Sequence, residues 1–401
     1  MARVKLSAVF ISSLFILAVA AVLNIWQLYF MSATLGMLPI VSYLLGRISA
    51  RGLKCTRECP EYVSEGEPIL VSLRLKGGQM LVGPVEVHDS FPQWFESASE
   101  ENVIEWHDEA LVISYRTIPK KRGKYRVGPV IVRTTDPLGF FTFTSRYPLF
   151  STMVVYPSPL RISELDSKLG GEFGEQQFEG SGAKGSGVDF HGVRDFNAGD
   201  ELRRVHWKST ARHGKLNVVE FEHALGHNAL IAIDLEQDTE IGEPPFTSLE
   251  YAAKLAAGIA EQAVMRGSSV RLIYPGITGS AALPGVGLDQ YYAILEALAE
   301  MKADKRQSLC DVLLQESDSI ERNAVVICLS SRIEEKMAEC AEILSSRSIK
   351  IFFVFLKMAS VQLGAHEEIL ISNLASAGAS IAVVECSDKE LMARLNYQYV
   401  G

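Results

Sequence analysis

The sequence predicts a chain built in order from a transmembrane helical hairpin, a small β-sandwich and an α/β domain on a mainly parallel sheet. Three observations carry this. Two uncharged 18-residue stretches, Leu6–Leu23 and Leu28–Leu45, open the chain. Short alternating runs bounded by Gly and Pro then continue to about Pro157, and after residue 227 apolar runs alternate with helical periods. The expected divisions are residues 1–57 for the two spans, 58–158 for the β-module, 159–226 for a linker with a charged segment, and 227–401 for the α/β domain.

Each opening stretch, as a helix, covers roughly 27 Å, close to the hydrocarbon thickness of a bilayer. Asn24-Ile25-Trp26-Gln27 joins them, with a Trp suited to the interface. Arg3 and Lys5 precede the first span, and Arg47, Arg51, Lys54 and Arg57 follow the second. Both basic clusters fall on one side, which the positive-inside rule assigns to the cytoplasm. The expected location is thus the cell membrane, crossed twice, with the bilayer as a partner and the rest of the chain cytoplasmic. Two other readings compete: a secretory signal peptide ending near Ala18-Val19-Ala20, and a buried helical hairpin in a soluble protein.

Bulk composition bounds the rest. Over 401 residues, 48% are hydrophobic and 22% charged, which excludes a disordered chain and one wholly embedded in lipid. A net charge of −9 argues against nucleic acid as a partner for the molecule as a whole. Cysteines stand at 55, 59, 310, 328, 340 and 386, scattered, as free thiols in a reducing compartment would be. In the β-module, Ile69–Leu75, Val85–Asp89, Leu111–Ile118 and Tyr125–Val132 alternate apolar and polar residues, and Met153–Tyr156 is a short apolar run. Nothing there has catalytic character.

Gly180–Glu222 is dense in charge and has no clean apolar period. Gly180–Gly187 departs from the Walker phosphate-loop pattern and reads as a flexible linker. Asp200 is placed to cap a helix running to about His213, on which Arg204, Lys208 and Arg212 recur at i,i+4. Such a row repels itself by about 0.2–0.5 kcal/mol per pair, so anionic groups must face it. Asp189, Asp195, Glu220 and Glu222 are the internal candidates, and a lipid phosphate, a nucleotide or an acidic partner are the external ones. Trp207 with Arg203 at i,i+4 suits a stack. Five of the eight histidines lie between 191 and 227, but no nucleophile–base order stands out, so no catalytic residue is assigned.

Beyond residue 227, strands are expected at Ala229–Ile233, Val270–Tyr274, Ala324–Leu329, Ile349–Leu356 and Ile381–Val384. Helices are expected at Leu249–Met265, Asp289–Met301, Ile333–Ser345 and Glu367–Ala377. Ligands of such sheets sit at the carboxyl ends of the strands, which directs attention to Asp234, Glu236 and Asp238. Three clustered carboxylates are weak candidates for Mg²⁺ or Ca²⁺, with a solvent- or partner-facing acidic loop as the alternative.

The run Gly187-Val188-Asp189-Phe190-His191-Gly192-Val193-Arg194-Asp195-Phe196 leads into Gly199-Asp200-Glu201-Leu202-Arg203-Arg204-Val205-His206-Trp207-Lys208, then Ala211-Arg212 and Leu216–Glu222. It resembles the signature of the domain-of-unknown-function 58 family. Gly123–Val130 and Asp136-Pro137-Leu138-Gly139 belong to the same resemblance, as does the order of parts along the chain. The resemblance implies a last region similar to von Willebrand factor type A domains, and a partner among MoxR-type AAA+ ATPases. Type A domains hold a metal with an Asp-x-Ser-x-Ser loop; here Asp234-Leu235-Glu236-Gln237-Asp238 lacks both serines, and Leu329-Ser330-Ser331 stands where an Asp would be expected.

The expected function is therefore a membrane-anchored cytoplasmic adaptor, without catalysis or a required cofactor, working beside such an ATPase. Its contact surface is expected on Asp189, Arg194, Asp195, Gly199, Asp200, Arg203, Arg204, Trp207, Lys208, Arg212, Glu220 and Glu222. The alternative is an enzyme or ligand-binding protein using 187–222 as a phosphate or anion site, with Asp189, Asp195 or His206 as acid or base.

Overall fold

A computed structural model describes residues 2–77, 83–97, 103–107, 110–160, 184–195, 217–222, 228–237, 239–275, 285–321, 324–358 and 364–386; 184–195 and 217–222 are described by their backbone. The chain divides into two compact units, Met1–Val155 and Tyr156–Gly401.

The first unit opens with α1 (Ala2–Leu23) and α2 (Trp26–Ala50), both long and apolar enough to cross a bilayer. They turn at Asn24, which holds φ 50°, a conformation Asn tolerates better than most residues. Small residues let the helices approach. Ser13 Oγ donates to Ser32 O at 3.0 Å, and Ser32 Oγ returns a bond to Ser13 O at 2.8 Å. A methyl built on Gly36 would lie 3.2 Å from Ser13 Oγ.

Eleven strands follow among the described residues. β1 (Lys54–Glu58), β3 (Ile69–Lys76), β7 (Ala110–Pro119) and β5 (Phe95–Ser97) form one antiparallel sheet, with β6 (Val103–His107) also on β7. β10 (Thr142–Tyr147), β9 (Val130–Thr135) and β4 (Val85–Asp89) form a second sheet. β2 (Tyr62–Ser64), β11 (Ser151–Tyr156) and β8 (Gly123–Val127) form a third. Alternation makes one face of β3 apolar: Ile69, Val71, Leu73 and Leu75 are buried. Leu73 and Leu75 pack with Val130 and Val132 of the second sheet, while Ile69 and Val71 pack with Val127, Met153 and Val155 of the third.

The run Tyr125–Val132, expected as one strand, is two. Gly128 breaks it with φ +114°, and any side chain there would collide with Leu149 O. Arg57, placed by sequence in the basic cluster after the second span, is buried in the β-module. Its side chain is 1% exposed and ion-paired with Asp89. The six cysteines all carry free thiols, and burial beside Asp89 pushes the Cys55 thiol up to about 11.

In the second unit, β12 (Lys184–Asp195) pairs antiparallel with β13 (Asn217–Glu222). A parallel sheet follows: β14 (Ala229–Ile233), β17 (Val270–Ile273), β18 (Val325–Ser330), β19 (Lys350–Met358) and β20 (Ser380–Cys386), in spatial order β17-β14-β18-β19-β20. Short strands β15 (Gly242–Glu243) and β16 (Phe246–Thr247) precede α3 (Ser248–Met265). The other helices among the described residues are α4 (Leu288–Glu300), α5 (Leu309–Glu316), α6 (Lys336–Ser346) and α7 (Ala365–Ser376).

Successive residues of β14 serve opposite faces. Ala229, Ile231 and Ile233 join α3 and α4 in one core, while Leu230 and Ala232 join α5, α6 and Leu374 of α7 in the other. A sheet buried on both sides explains why these strands read as continuous apolar runs.

Candidate functional site

The strand order reverses between β14 and β18: the chain leaves β14 for β17 on one side and returns to β18 on the other. In open parallel sheets the crevice beyond the carboxyl ends of such a pair is where ligands bind. Asp234 follows β14 at this point, and Ser330-Ser331 closes β18 beside it.

The groups here are bonded chiefly to one another. Asp234 N donates to Leu329 O at 3.0 Å, tying the strand ends together. Ser330 Oγ donates to Asp234 Oδ2 at 2.8 Å, and the Glu236 amide donates to Oδ1 at 3.1 Å. The Arg332 amide donates back to Ser330 Oγ at 3.1 Å. Thr239 Oγ1 reaches Glu236 O at 2.7 Å, Ser331 Oγ donates to Thr239 O, and the Ile241 amide donates to Ser248 Oγ at 3.0 Å. The loop is also pinned from outside: Gln237 N donates to Lys305 O at 2.9 Å, and Lys305 N to Leu235 O at 3.0 Å. Asp234, Thr239, Glu240, Ser248, Ser330 and Ser331 line a narrow cleft with room for about one water.

Charge inside this cluster is mostly negative. Burial raises the Asp234 carboxyl, against the bonds from Glu236 and Ser330 and the field of Arg332. Burial also raises Glu334, and Glu236 and Asp234 push it further. A carboxyl whose folded pKa is raised contributes stability that is whole below its unfolded pKa and is lost as pH rises through the folded value. Asp234→Asn is therefore expected to flatten the pH dependence of this unit's stability, so that the variant loses less than the parent as pH rises above the ordinary carboxylate range. Urea midpoints at several pH values check this. A variant with the wild-type pH profile would mean that Asp234 ionises unhindered.

The donors described at this point are already committed within the protein. Both Asp234 oxygens already accept protein hydrogen bonds, and the hydroxyls of Ser330, Ser331 and Thr239 donate to protein oxygens. Among the described residues no group of three His, Cys, Asp or Glu side chains converges on one point. Asp238 lies outside the described residues.

For the charged segment, the structure gives the register of one hairpin. Asp189 pairs with Glu222, Gly192 with Glu220, Arg194 with Val218 and Asp195 with Asn217. The strand begins at Lys184, within the stretch read from sequence as a linker, so Lys184–Gly187 is β-structure instead. Gly199, Asp200, Arg203, Arg204, Trp207, Lys208 and Arg212, with the helix expected there, lie outside the described residues.

Sequence reasoning found Asp234, Glu236, Ser330 and Ser331 but missed Thr239, Ser248, Arg332 and Glu334. Their signal was present only as loop positions adjoining strand ends. It also missed Glu250 and Lys254, charged residues buried on α3 at i,i+4.

Residues 192–372 match the family model described as "Protein of unknown function DUF58". That stretch holds both β13 and most of the parallel sheet. The chain is also similar to "Uncharacterized protein YeaD" of Bacillus subtilis (strain 168), 23% identical over 355 residues, covering 84% of this chain and 84% of that protein.

Proposed function

We propose that the whole chain is a DUF58 family protein acting as a membrane-anchored adaptor, with its soluble units in the cytoplasm and no reaction of its own. Its second unit is, on this reading, a von Willebrand factor type A-like domain, and the first unit's β-module is a β-sandwich. The observation that carries the proposal is the state of the crevice at the end of β14. Asp234, Ser330, Ser331 and Thr239 close it with their own hydrogen bonds. A crevice closed in this way holds a rigid loop in place, which suits a docking surface better than a substrate pocket. The charged segment containing Arg194, Asp195, Arg204 and Lys208 also contributes to partner recognition on this reading, and the partner is a MoxR-type AAA+ ATPase.

Affinity purification of the full chain from detergent extract, with and without a slowly hydrolysed ATP analogue, tests this. The expected result is an AAA+ ATPase that co-purifies in at least one nucleotide state and is lost with Arg204→Ala/Lys208→Ala. Recovery of no such ATPase in either state would overturn the adaptor reading.

A further inference from the structure

We propose that the turn Asp136–Phe141 is a lipid-facing surface that seats the β-module on the headgroup layer of the bilayer crossed by α1 and α2. The proposal rests on reading those helices as membrane spans, and it assigns a role to the Asp136-Pro137-Leu138-Gly139 motif.

The turn sits where both helices leave their uncharged stretches. On α2, large apolar side chains stay exposed through Phe30, Met37, Ile40, Val41 and Leu44. From Ser42 onward a second face of the helix is covered by protein: Ser42, Gly46 and Ser49 are buried. Ser42 Oγ donates to Asp136 Oδ2. The Tyr43 ring meets Phe141 at 5.3 Å and Phe143 at 5.6 Å between centroids, and a methyl on Gly46 would strike Phe143 and Asp136.

The first helix gives an independent marker of the same level. A methyl built on Gly139 would lie 3.6 Å from Nζ of Lys5, and Lys5 immediately precedes the uncharged run Leu6–Leu23. Lysines at span ends reach for the interface.

What the turn presents suits that level. The Asp136 carboxylate is buried and spent on the turn itself, accepting from the Leu138 amide at 3.2 Å and the Phe141 amide at 2.5 Å. Pro137 is exposed, and Leu138 at the tip is 42% exposed. Beyond the turn, β10 runs alongside α2 away from the spans, because Tyr147 at its far end donates from its hydroxyl to Leu53 O at 2.9 Å. Exposed Arg47, Arg51 and Lys54 lie along this stretch, at the height of the phosphates. An apolar tip at the span boundary with basic residues just above it matches the glycerol and phosphate layers of an anionic phospholipid surface.

The test places a photoreactive benzoylphenylalanine, one site at a time, at Leu138, at Phe30 within α2, and at Leu70. Leu70 is exposed on the same module, at the end of β3 away from Lys76, the partner of Lys54. The full chain is reconstituted in vesicles of phosphatidylethanolamine and phosphatidylglycerol, irradiated, and analysed for lipid adducts. Adducts at Leu138 comparable to Phe30 and roughly tenfold above Leu70 are expected. Adducts at Phe30 with none at Leu138, or equal yields at Leu138 and Leu70, would overturn the proposal and leave the spans intact. No adduct at Phe30 would remove the membrane reading itself and the proposal with it.

Discussion

Asp89→Ala is expected to destabilise the β-module by about 3–5 kcal/mol, enough to unfold a marginal domain. Asp89 accepts from Arg57 Nε at 2.9 Å through Oδ2, pairs with Arg57 Nη2 through Oδ1, and accepts from the Tyr115 hydroxyl at 2.6 Å. The two charged side chains are 1% and 3% exposed. Arg57 Nη1 spans to Val127 O at 3.2 Å, Leu149 O at 3.3 Å and Ser151 Oγ at 3.4 Å, so one guanidinium links β1, β4 and the edges of β8 and β11. Removing the carboxylate leaves a desolvated cation and a stranded phenol, which is where the cost arises. Burial and the Asp89 charge already hold the Tyr115 hydroxyl far above its ordinary pKa. Replacing both partners, as Arg57→Met/Asp89→Leu, is expected to recover much of the loss. Urea titration in detergent, followed by hydrogen exchange in β1, β3 and β7 peptides, measures both. A single variant as stable as the parent would mean that the pair is hydrated.

The sequence revealed most where burial is two-sided or alternation is strict. Ala229–Ile233 was legible because five consecutive apolar residues, too short a run for a buried helix, suit a strand covered on both faces. Ile69–Leu75 was legible through its period of two. The helix Leu309–Glu316 was missed because eight residues hold too few turns to establish a period, although Ser308 accepts a capping bond from the Cys310 amide at 3.2 Å. The burial of Arg57 was illegible for another reason. Its partner lies 32 residues away, and a composition window counts a paired, buried cation like an exposed one. Ser42 carried the same blind spot: a serine in an apolar run gives no hint of an acceptor 94 residues on. At the candidate site the carboxylates were visible, but their commitment to Ser330 and to backbone amides required the fold.

Asp136→Ala is expected to loosen the junction between the second helix and the β-module. The carboxylate satisfies three donors at once: Ser42 Oγ, the Leu138 amide and the Phe141 amide. Each buried donor left without a partner costs about 1–3 kcal/mol, and alanine offers nothing in exchange. Water cannot readily replace the lost acceptor, since Asp136 is 1% exposed. Asp136→Asn keeps one acceptor oxygen and is expected to fall between alanine and the parent. Amide exchange separates this from general unfolding: Leu138 and Phe141 should exchange fastest in the variant, while β3 and β7, whose core contacts do not involve Asp136, keep their protection. Uniform loss across all strands would instead make Asp136 a determinant of the whole module. Unchanged exchange at Phe141 would show that the turn holds without its carboxylate, and that the aromatic contacts and the packing at Gly46 suffice to keep it in place.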